Sequence, residues 1–154
     1  MYCCKKTMTK LTVSTTIQKP LEYIRERRNN PDHIVHRCFA SDDWCCPRAS
    51  NDLNVWGLLI ARMEAKDGSF GFDMIGQYSV VEPMNTISYT MWSYERDTDF
   101  VDAGRVVDIV FEDLWTQGVR LTETFDAEEV HSHDLQIAGR QAILENFKKY
   151  VETH

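Results

Sequence analysis

Residues 133–152 read HDLQIAGRQAILENFKKYVE and form the longest regular pattern in the sequence. Its apolar stripe consists of Gly139, Ile143, Phe147 and Tyr150, flanked by Leu135 and Val151. Such spacing, close to 3.6 residues, predicts an amphipathic helix. At ~1.5 Å per residue the helix is about 30 Å long, enough to cross a whole sheet. A helix of this kind needs an apolar surface to cover.

The segments before the helix supply that surface, because their hydrophobicity alternates as it does in half-buried strands. The alternating runs are residues 11–17, residues 70–80, then Ile87, Tyr89 and Met91, then Val107, Ile109 and Phe111, then Val119, Leu121 and Phe125. Residues 55–64 form one further predicted strand. Short turns at residues 66–68, 82–85 and 117–118 join these strands, which predicts an antiparallel meander.

Two short helices are predicted after the first strand. Pro20 opens the first, over residues 21–28, because proline suits a first helical turn. The second covers residues 32–37, and residues 41–51 form a long loop. We therefore predict an α+β fold in which a curved antiparallel sheet of about six or seven strands wraps the long C-terminal helix. Residues 1–9 are expected to be a tail and residues 10–154 a single domain.

Composition narrows the function classes. The chain has 154 residues, of which 43% are hydrophobic and 27% charged, as in an ordinary globular protein. A net charge of −7 argues against nucleic acid as a partner. No apolar run approaches the ~20 residues of a membrane helix, so we expect no membrane insertion. The first ten residues lack the apolar core of a secretory signal, so we expect a cytoplasmic protein with reduced thiols at its five cysteines.

Two histidine clusters contain the residue types of a metal or acid–base site. One consists of His131, His133 and Asp134 with Glu128 and Glu129, and the other of His33, His36 and Cys38. The imidazoles of His131 and His133 diverge at a helix start, and the second cluster lacks a fourth ligand. The sequence contains no G-x-S-x-G, no glycine-rich phosphate loop and no His-Glu-x-x-His. We therefore predict no catalytic residue, no metal site and no cofactor.

Several segments carry a family resemblance. They are residues 39–52 (FASDDWCCPRASND), 62–73 (RMEAKDGSFGFD), 76–78 (GQY), 81–83 (VEP), 87–89 (ISY), 121–125 (LTETF) and 142–150 (AILENFKKY). The residues in these segments, and the order of the segments along the chain, resemble the activator-of-Hsp90-ATPase-like family within the START-like superfamily. The resemblance implies the helix-grip fold, with a hydrophobic cavity between the sheet and the long helix. It also implies that contact with a chaperone is possible, as in co-chaperone relatives.

Around that cavity the sequence departs from the family pattern. Arg25 and Arg28 stand where the first helix usually has aromatic residues. Trp56 stands where small residues, typically glycine, are usual, and Arg140 stands where tryptophan is usual. Residues 92–103 resemble an insertion or a lengthened hairpin. These changes indicate a reshaped cavity, whether by divergence or by design.

The candidate ligand-binding residues are those expected to face this cavity. They are Trp44, Trp56, Phe70, Phe72, Met74, Tyr89, Met91, Val107, Ile109, Phe111, Ile143, Phe147, Arg25, Arg28 and Arg140. Trp44 is expected at the cavity mouth. The alternative is a filled core, since aromatic and methionine side chains usually pack together, and Trp56 favours that alternative by adding volume.

Three functions fit these observations. The first is non-catalytic binding of a hydrophobic or amphipathic small molecule, which we favour. The second is an enzyme of the polyketide-cyclase type, which needs a buried titratable group, with Tyr78, Tyr89 and Asp108 as candidates. The third is a chaperone-interaction module, which no sequence feature supports.

The arginines give the sharpest hypothesis. Arg25 and Arg28 share a helical face with Leu21 and Ile24, and Arg140 borders the stripe of the last helix. Buried guanidiniums are costly unless they reach the rim, pair with acids such as Glu26 or Asp108, or meet an anionic ligand. In the last case the ligand is a carboxylate-bearing amphiphile, with its tail among Phe72, Ile109 and Phe147.

Overall fold

The computed structural model describes residues 9–82, 84–96 and 99–154, with the side chains of residues 93–103 outside the description. The predicted tail, residues 1–9, lies outside it except for Thr9. The elements are β1 (Lys10–Ile17), α1 (Leu21–Asn29), α2 (Pro31–Ile34), β2 (Trp44–Cys45), β3 (Ala49–Asn51), β4 (Leu58–Ala65), β5 (Gly71–Glu82), β6 (Thr86–Arg96), β7 (Asp99–Asp113), a 3-10 turn (Trp115–Gln117), β8 (Val119–Asp126) and α3 (His133–Thr153). Among the described residues, no helix is long and apolar enough to cross a membrane.

The strands form one curled antiparallel sheet in the order β1-β8-β7-β6-β5-β4-β2, with β3 also paired to β4. The predicted fold class is confirmed: a curved antiparallel sheet, a long C-terminal helix and two short helices after the first strand. The described sheet has eight strands because β2 and β3 form within residues 41–51, which were expected to be a loop.

Helix α3 completes the core and packs chiefly against β1. Ser132 caps it, since its hydroxyl accepts a hydrogen bond from Leu135 N at 3.2 Å. Its most buried residues are Leu144, Phe147 and Val151. The centre of the buried face therefore includes Leu144, which the predicted stripe did not contain. The prediction that Leu135 flanks this face is wrong, because the first turn of α3 is exposed and Leu135 with it.

Two predicted strands have different limits. Strand β4 begins at Leu58 rather than at residue 55, because Trp56 adopts a left-handed backbone with φ 69° that ends the extended run. In β5, a register shift between Tyr78 and Val80 leaves Val80 exposed although it shares the parity of the buried positions.

The predicted insertion at residues 92–103 falls largely on residues whose side chains lie outside the description. Its backbone, apart from residues 97–98, belongs to β6 and β7, which pair from Thr86 opposite Val110 to Arg96 opposite Asp99.

Candidate functional site: an arginine-lined cavity

A cavity of about 220 Å³, here called the central cavity, lies between the sheet, the segment around α1 and α2, and α3. Its polar lining consists of Arg28, Arg37, Cys38, Tyr89, Arg105, Glu123 and Arg140. Most of the remaining lining is apolar and includes Met63, Phe72, Met74 and Met91. Buried charges and apolar side chains therefore converge on one space, as in small-molecule pockets.

Glu123 provides the carboxylate of the central cavity. It lies on β8, and its two oxygens face guanidiniums from the first and the last helix. Arg28 Nη2 donates a hydrogen bond to Oε1 at 3.2 Å, and Arg140 Nε forms an ion pair with Oε2 at 3.1 Å. The angle at Arg140 Nε is not that of a hydrogen bond, so this second contact is electrostatic. The sheet, α1 and α3 thus meet at one buried carboxylate.

The neighbours of Glu123 keep it ionised. Burial by itself raises the pKa of Glu123, but Arg140, Arg28 and Arg37 together outweigh burial and bring that pKa below its ordinary value. Burial lowers the pKa of Arg140, whereas Tyr89 and Glu123 raise it, with a net rise. Glu123 is therefore a fixed negative charge at neutral pH rather than a proton carrier.

Arg37 is the cavity cation with the least compensation. Only 6% of it is exposed, and its Nη2 donates a 2.5 Å hydrogen bond to the backbone oxygen of Arg28. Its Nε has no hydrogen-bond partner, and in the described part of the chain no carboxylate oxygen lies within 4.0 Å of its guanidinium. Burial and the charge of Arg28 lower the pKa of Arg37 to about 10, so it is protonated at neutral pH.

Cys38 brings a thiol next to this cation. A hydrogen bond from Cys46, together with the charges of Arg37, Arg140 and Arg28, lowers the pKa of Cys38 to about 6 against the opposing effect of burial. The pKa of Cys46 moves up, because this thiol donates to Cys38 and because it is buried. Cys46 Sγ also lies 3.5 Å from the backbone oxygen of Arg48, a second acceptor for its proton. Cys46 and the surrounding arginines therefore favour the thiolate form of Cys38.

Tyr89 is positioned by a glycine on the neighbouring strand. A Cβ atom at Gly76 would lie 2.8 Å from the Tyr89 ring, so only glycine leaves room for the ring to cover β5. The Tyr89 hydroxyl accepts a long hydrogen bond of 3.5 Å from Arg140 Nη2. The neighbouring Tyr78 hydroxyl donates to Asn51 Oδ1 at 2.6 Å, and burial raises the pKa of Tyr78 to about 12. Tyr89 therefore belongs to the cavity, and Tyr78 is engaged elsewhere.

The family model of activator of Hsp90 ATPase homolog 1-like (AHSA1-like) proteins matches residues 31–152. The chain belongs to this family. The matched range runs from α2 almost to the end of α3 and contains every polar lining residue of the central cavity except Arg28.

Solved structures agree with this membership. The AHSA1-like protein from Aeromonas hydrophila is 38% identical over 94% of this chain and 93% of its own, with a TM-score of 0.82. Chr148 from Cytophaga hutchinsonii is 39% identical over 94% of this chain and 92% of its own, with a TM-score of 0.75. CV1439 from Chromobacterium violaceum, at 19% identity and a TM-score of 0.77 over 93% of this chain and 97% of its own, shares the fold. No curated protein matches the chain.

Of the three arginines predicted to face the cavity, Arg28 and Arg140 contribute to its lining and Arg25 does not. The buried residues of α1 are Ile24 and Arg28, and Arg25, one position after Ile24, points away from that buried face. The acid that pairs with Arg28 and Arg140 is Glu123, rather than the expected Glu26 or Asp108.

The backbone at Trp56 suits the small residue, typically glycine, that the family resemblance leads one to expect there. Its φ of 69° lies in the left-handed region that favours glycine. The indole is 72% exposed and lies outside the central cavity, so the expectation that Trp56 adds volume there is wrong.

The predicted ligand-binding residues divide into two groups. Those lining the central cavity are Arg28, Phe72, Met74, Tyr89, Met91, Arg140 and Ile143. Those outside it are Arg25, Trp44, Trp56, Phe70, Val107, Ile109, Phe111 and Phe147. The last four are buried in filled core. Trp44 and Phe70 pack edge to face with centroids 5.9 Å apart, and both rings also contact Phe72.

Sequence reasoning missed Arg37, Cys38 and Glu123 as cavity residues. A signal for Glu123 exists, because position 123 shares the inward parity of Leu121 and Phe125 on β8, and a carboxylate there needs a buried partner. Helix α2 ends at Ile34, three residues before Arg37, and this end determines where Arg37 lies. The sequence pattern predicts a longer helix that ends at residue 37.

The histidine clusters make other contacts. His131 pairs with Glu128 at the surface, and His33 Nδ1 lies 2.6 Å from the Tyr150 hydroxyl. Among the described residues, no group of three or more His, Cys, Asp and Glu side chains is arranged to hold a metal ion.

Proposed function

We propose that this protein binds a small amphipathic molecule in the central cavity without converting it. The observation that carries the proposal is the meeting of buried charges and apolar side chains in one space of about 220 Å³. An amphipathic molecule complements both kinds of lining, because its polar group meets the charges and the rest replaces water at the apolar side chains.

The size of the cavity limits the ligand. An apolar cavity of about 150 Å³ accommodates benzene, so a space of about 220 Å³ suits roughly nine non-hydrogen atoms. We therefore expect a compact aromatic or short aliphatic molecule rather than a long-chain lipid.

Binding is favoured over turnover because the titratable groups in and near the cavity are engaged by neighbouring side chains, Cys38 included, since Cys46 and the cavity arginines surround its thiol. Glu123 is held ionised by arginines, and the Tyr78 hydroxyl is bonded to Asn51. Asp108 accepts a hydrogen bond from Ser88 at 2.6 Å. A general acid or base needs a pKa near the working pH and a free path to its substrate.

Thermal unfolding in the presence of benzoate, benzamide, hexanoate and hexanamide tests the proposal. A ligand that binds the native state raises Tm with its concentration. At least one probe should do so, and each should be recovered chemically unchanged. Ile143→Trp, which puts an indole into the cavity, should abolish the effect. Val110→Trp, on the exposed face of β7, should preserve it. The proposal fails if no probe shifts Tm, or if Ile143→Trp responds like the unaltered protein.

A further inference from the structure

The polar end of the central cavity has more positive than negative charge. Arg28, Arg37 and Arg140 approach it from three segments of the chain, whereas Glu123 is the carboxylate among the lining residues. A fourth guanidinium, that of Arg105, also lines the cavity and donates to the backbone oxygen of Asp126 at 3.1 Å. Buried charges are usually balanced by a partner, because desolvation of an isolated charge is very costly.

The Cys38 thiolate compensates part of this excess. Even with Cys38 counted as a thiolate beside Glu123, at most two negative charges face Arg28, Arg37 and Arg140. At least one positive charge is therefore left over, without counting Arg105. The Phe147 ring, 5.3 Å from the Arg37 guanidinium carbon, stabilises the cation only through its quadrupole. The described residues that line the cavity therefore leave at least one guanidinium charge without a counter-charge.

Hydrogen bonding indicates which arginines have donors to spare. Five described arginines have a buried Nε without a hydrogen-bond acceptor, and three of these line the cavity: Arg28, Arg37 and Arg140. Arg140 Nε has the Glu123 carboxylate at 3.1 Å, whereas the one side-chain hydrogen bond of Arg37 goes to a backbone oxygen. Arg28 and Arg37 are each only 6% exposed, and both line the central cavity. Buried donors are nearly always paired in native proteins, so these unused donors indicate an absent acceptor.

We propose that the acceptor is the carboxylate of the ligand, held by Arg37 with Arg28 beside it, and that the ligand is a small monocarboxylic acid. This inference rests on the proposed function and adds the chemical class of the molecule. A carboxylate offers two oxygens to a guanidinium fork and supplies a negative charge where the cavity lacks one. The apolar remainder lies against Phe72, Met74 and Ile143.

Acid and amide pairs of matched shape test this. Isothermal titration calorimetry should give Kd values at least tenfold lower for benzoate than for benzamide, and for hexanoate than for hexanamide, because charge-assisted hydrogen bonds are the stronger ones. Arg37→Met should remove this preference while leaving amide binding nearly unchanged. Arg25→Met, an arginine of α1 outside the cavity, should retain it. Arg37→Lys, which keeps the charge but loses the fork, should give an intermediate ratio.

The outcomes separate the two proposals. If acids and amides bind the unaltered protein equally, the carboxylate inference is overturned and the proposed function stands. A preference for acids that persists in a folded Arg37→Met variant also overturns it. If neither member of either pair binds, the proposed function fails and this inference with it. The comparison within the unaltered protein is decisive even where a variant does not fold.

Discussion

Arg28 and Glu123 lie 95 positions apart in the sequence, yet their side chains meet at 3.2 Å with both residues less than a tenth exposed. Arg140 reaches the second oxygen of the same carboxylate. Glu123→Gln removes the negative charge and leaves these guanidiniums buried without it. The free energy of unfolding should fall by about 3–5 kcal/mol, as measured by urea denaturation.

Glu112→Gln is the matched control for that change. Glu112 pairs with Arg120 at 3.1 Å on the surface, where both side chains are about half exposed. Its loss should cost less than ~1 kcal/mol, because solvent screens exposed pairs. Similar losses for Glu112→Gln and Glu123→Gln would show that the buried cluster has no special role in stability.

Phe147→Ala should be among the most destabilising changes in α3. Phe147 is 3% exposed and faces the sheet, so truncation removes apolar contacts and leaves a void. We expect a loss of about 3–5 kcal/mol in the free energy of unfolding. Leu135→Ala, in the exposed first turn, should change it by less than ~0.5 kcal/mol. An unchanged Tm in Phe147→Ala would contradict the packing of α3.

The Cys38 thiol should make stability depend on pH. Its pKa is about 6 in the folded protein and 9.0 for an ordinary cysteine, so the folded state binds fewer protons between these values. A depressed pKa stabilises the fold fully above the higher value, and this contribution is lost as pH falls toward 6. The raised pKa of Cys46 acts only above pH 9.0.

Urea denaturation at several pH values measures this effect. From pH 6 to 9 the free energy of unfolding should rise more steeply in the unaltered protein than in Cys38→Ser, by at most about 1.4 kcal/mol per pH unit. Cys45→Ser, at a neighbouring cysteine outside the cavity, should follow the unaltered protein. Parallel curves for Cys38→Ser and the unaltered protein would rule out a thiolate at this position.

Trp56→Gly should stabilise the protein, although it deletes the largest side chain. The left-handed conformation costs a non-glycine residue about 1–2 kcal/mol, and glycine relieves this at a smaller entropic cost. Since the indole is 72% exposed, little burial is lost, and we expect a gain of up to ~1 kcal/mol in thermal unfolding. Val55→Gly, at an exposed neighbour without positive φ, should lower Tm. A lower Tm in Trp56→Gly would mean that the indole contributes more than the strain costs.

The sequence was sufficient for the fold because its signals are periodic. Ile87, Tyr89 and Met91 alternate with polar residues and are all buried on β6, and the spacing of Phe147 and Val151 placed α3 on the sheet. Periodicity is local, so it survives small errors in the ends of the elements.

The candidate site was only partly predictable, since it depends on where single residues lie. The end of α2 at Ile34 determines that Arg37 and Cys38 meet the cavity. Arg28 and Arg25 differ in their position around the axis of α1, so only Arg28 faces the cavity. The sequence pattern predicts the helix but not its rotation about this axis accurately enough to separate these two residues. The partner of Arg28 was missed because Glu123 interrupts an apolar alternation that was otherwise easy to follow.

The pairing of β1 with β8 determines when the chain can fold during synthesis. Thr12 meets Thr124 across 112 positions, and Lys10 faces Asp126 in register. At about 5–20 residues per second, a ribosome needs on the order of ten seconds to make the intervening chain. Throughout that interval the apolar face of β1, formed by Leu11, Val13 and Ile17, has neither its neighbouring strand nor α3 to cover it. A nascent chain that pauses before residue 119 therefore presents an unpaired strand edge and an uncovered apolar face to any other chain nearby.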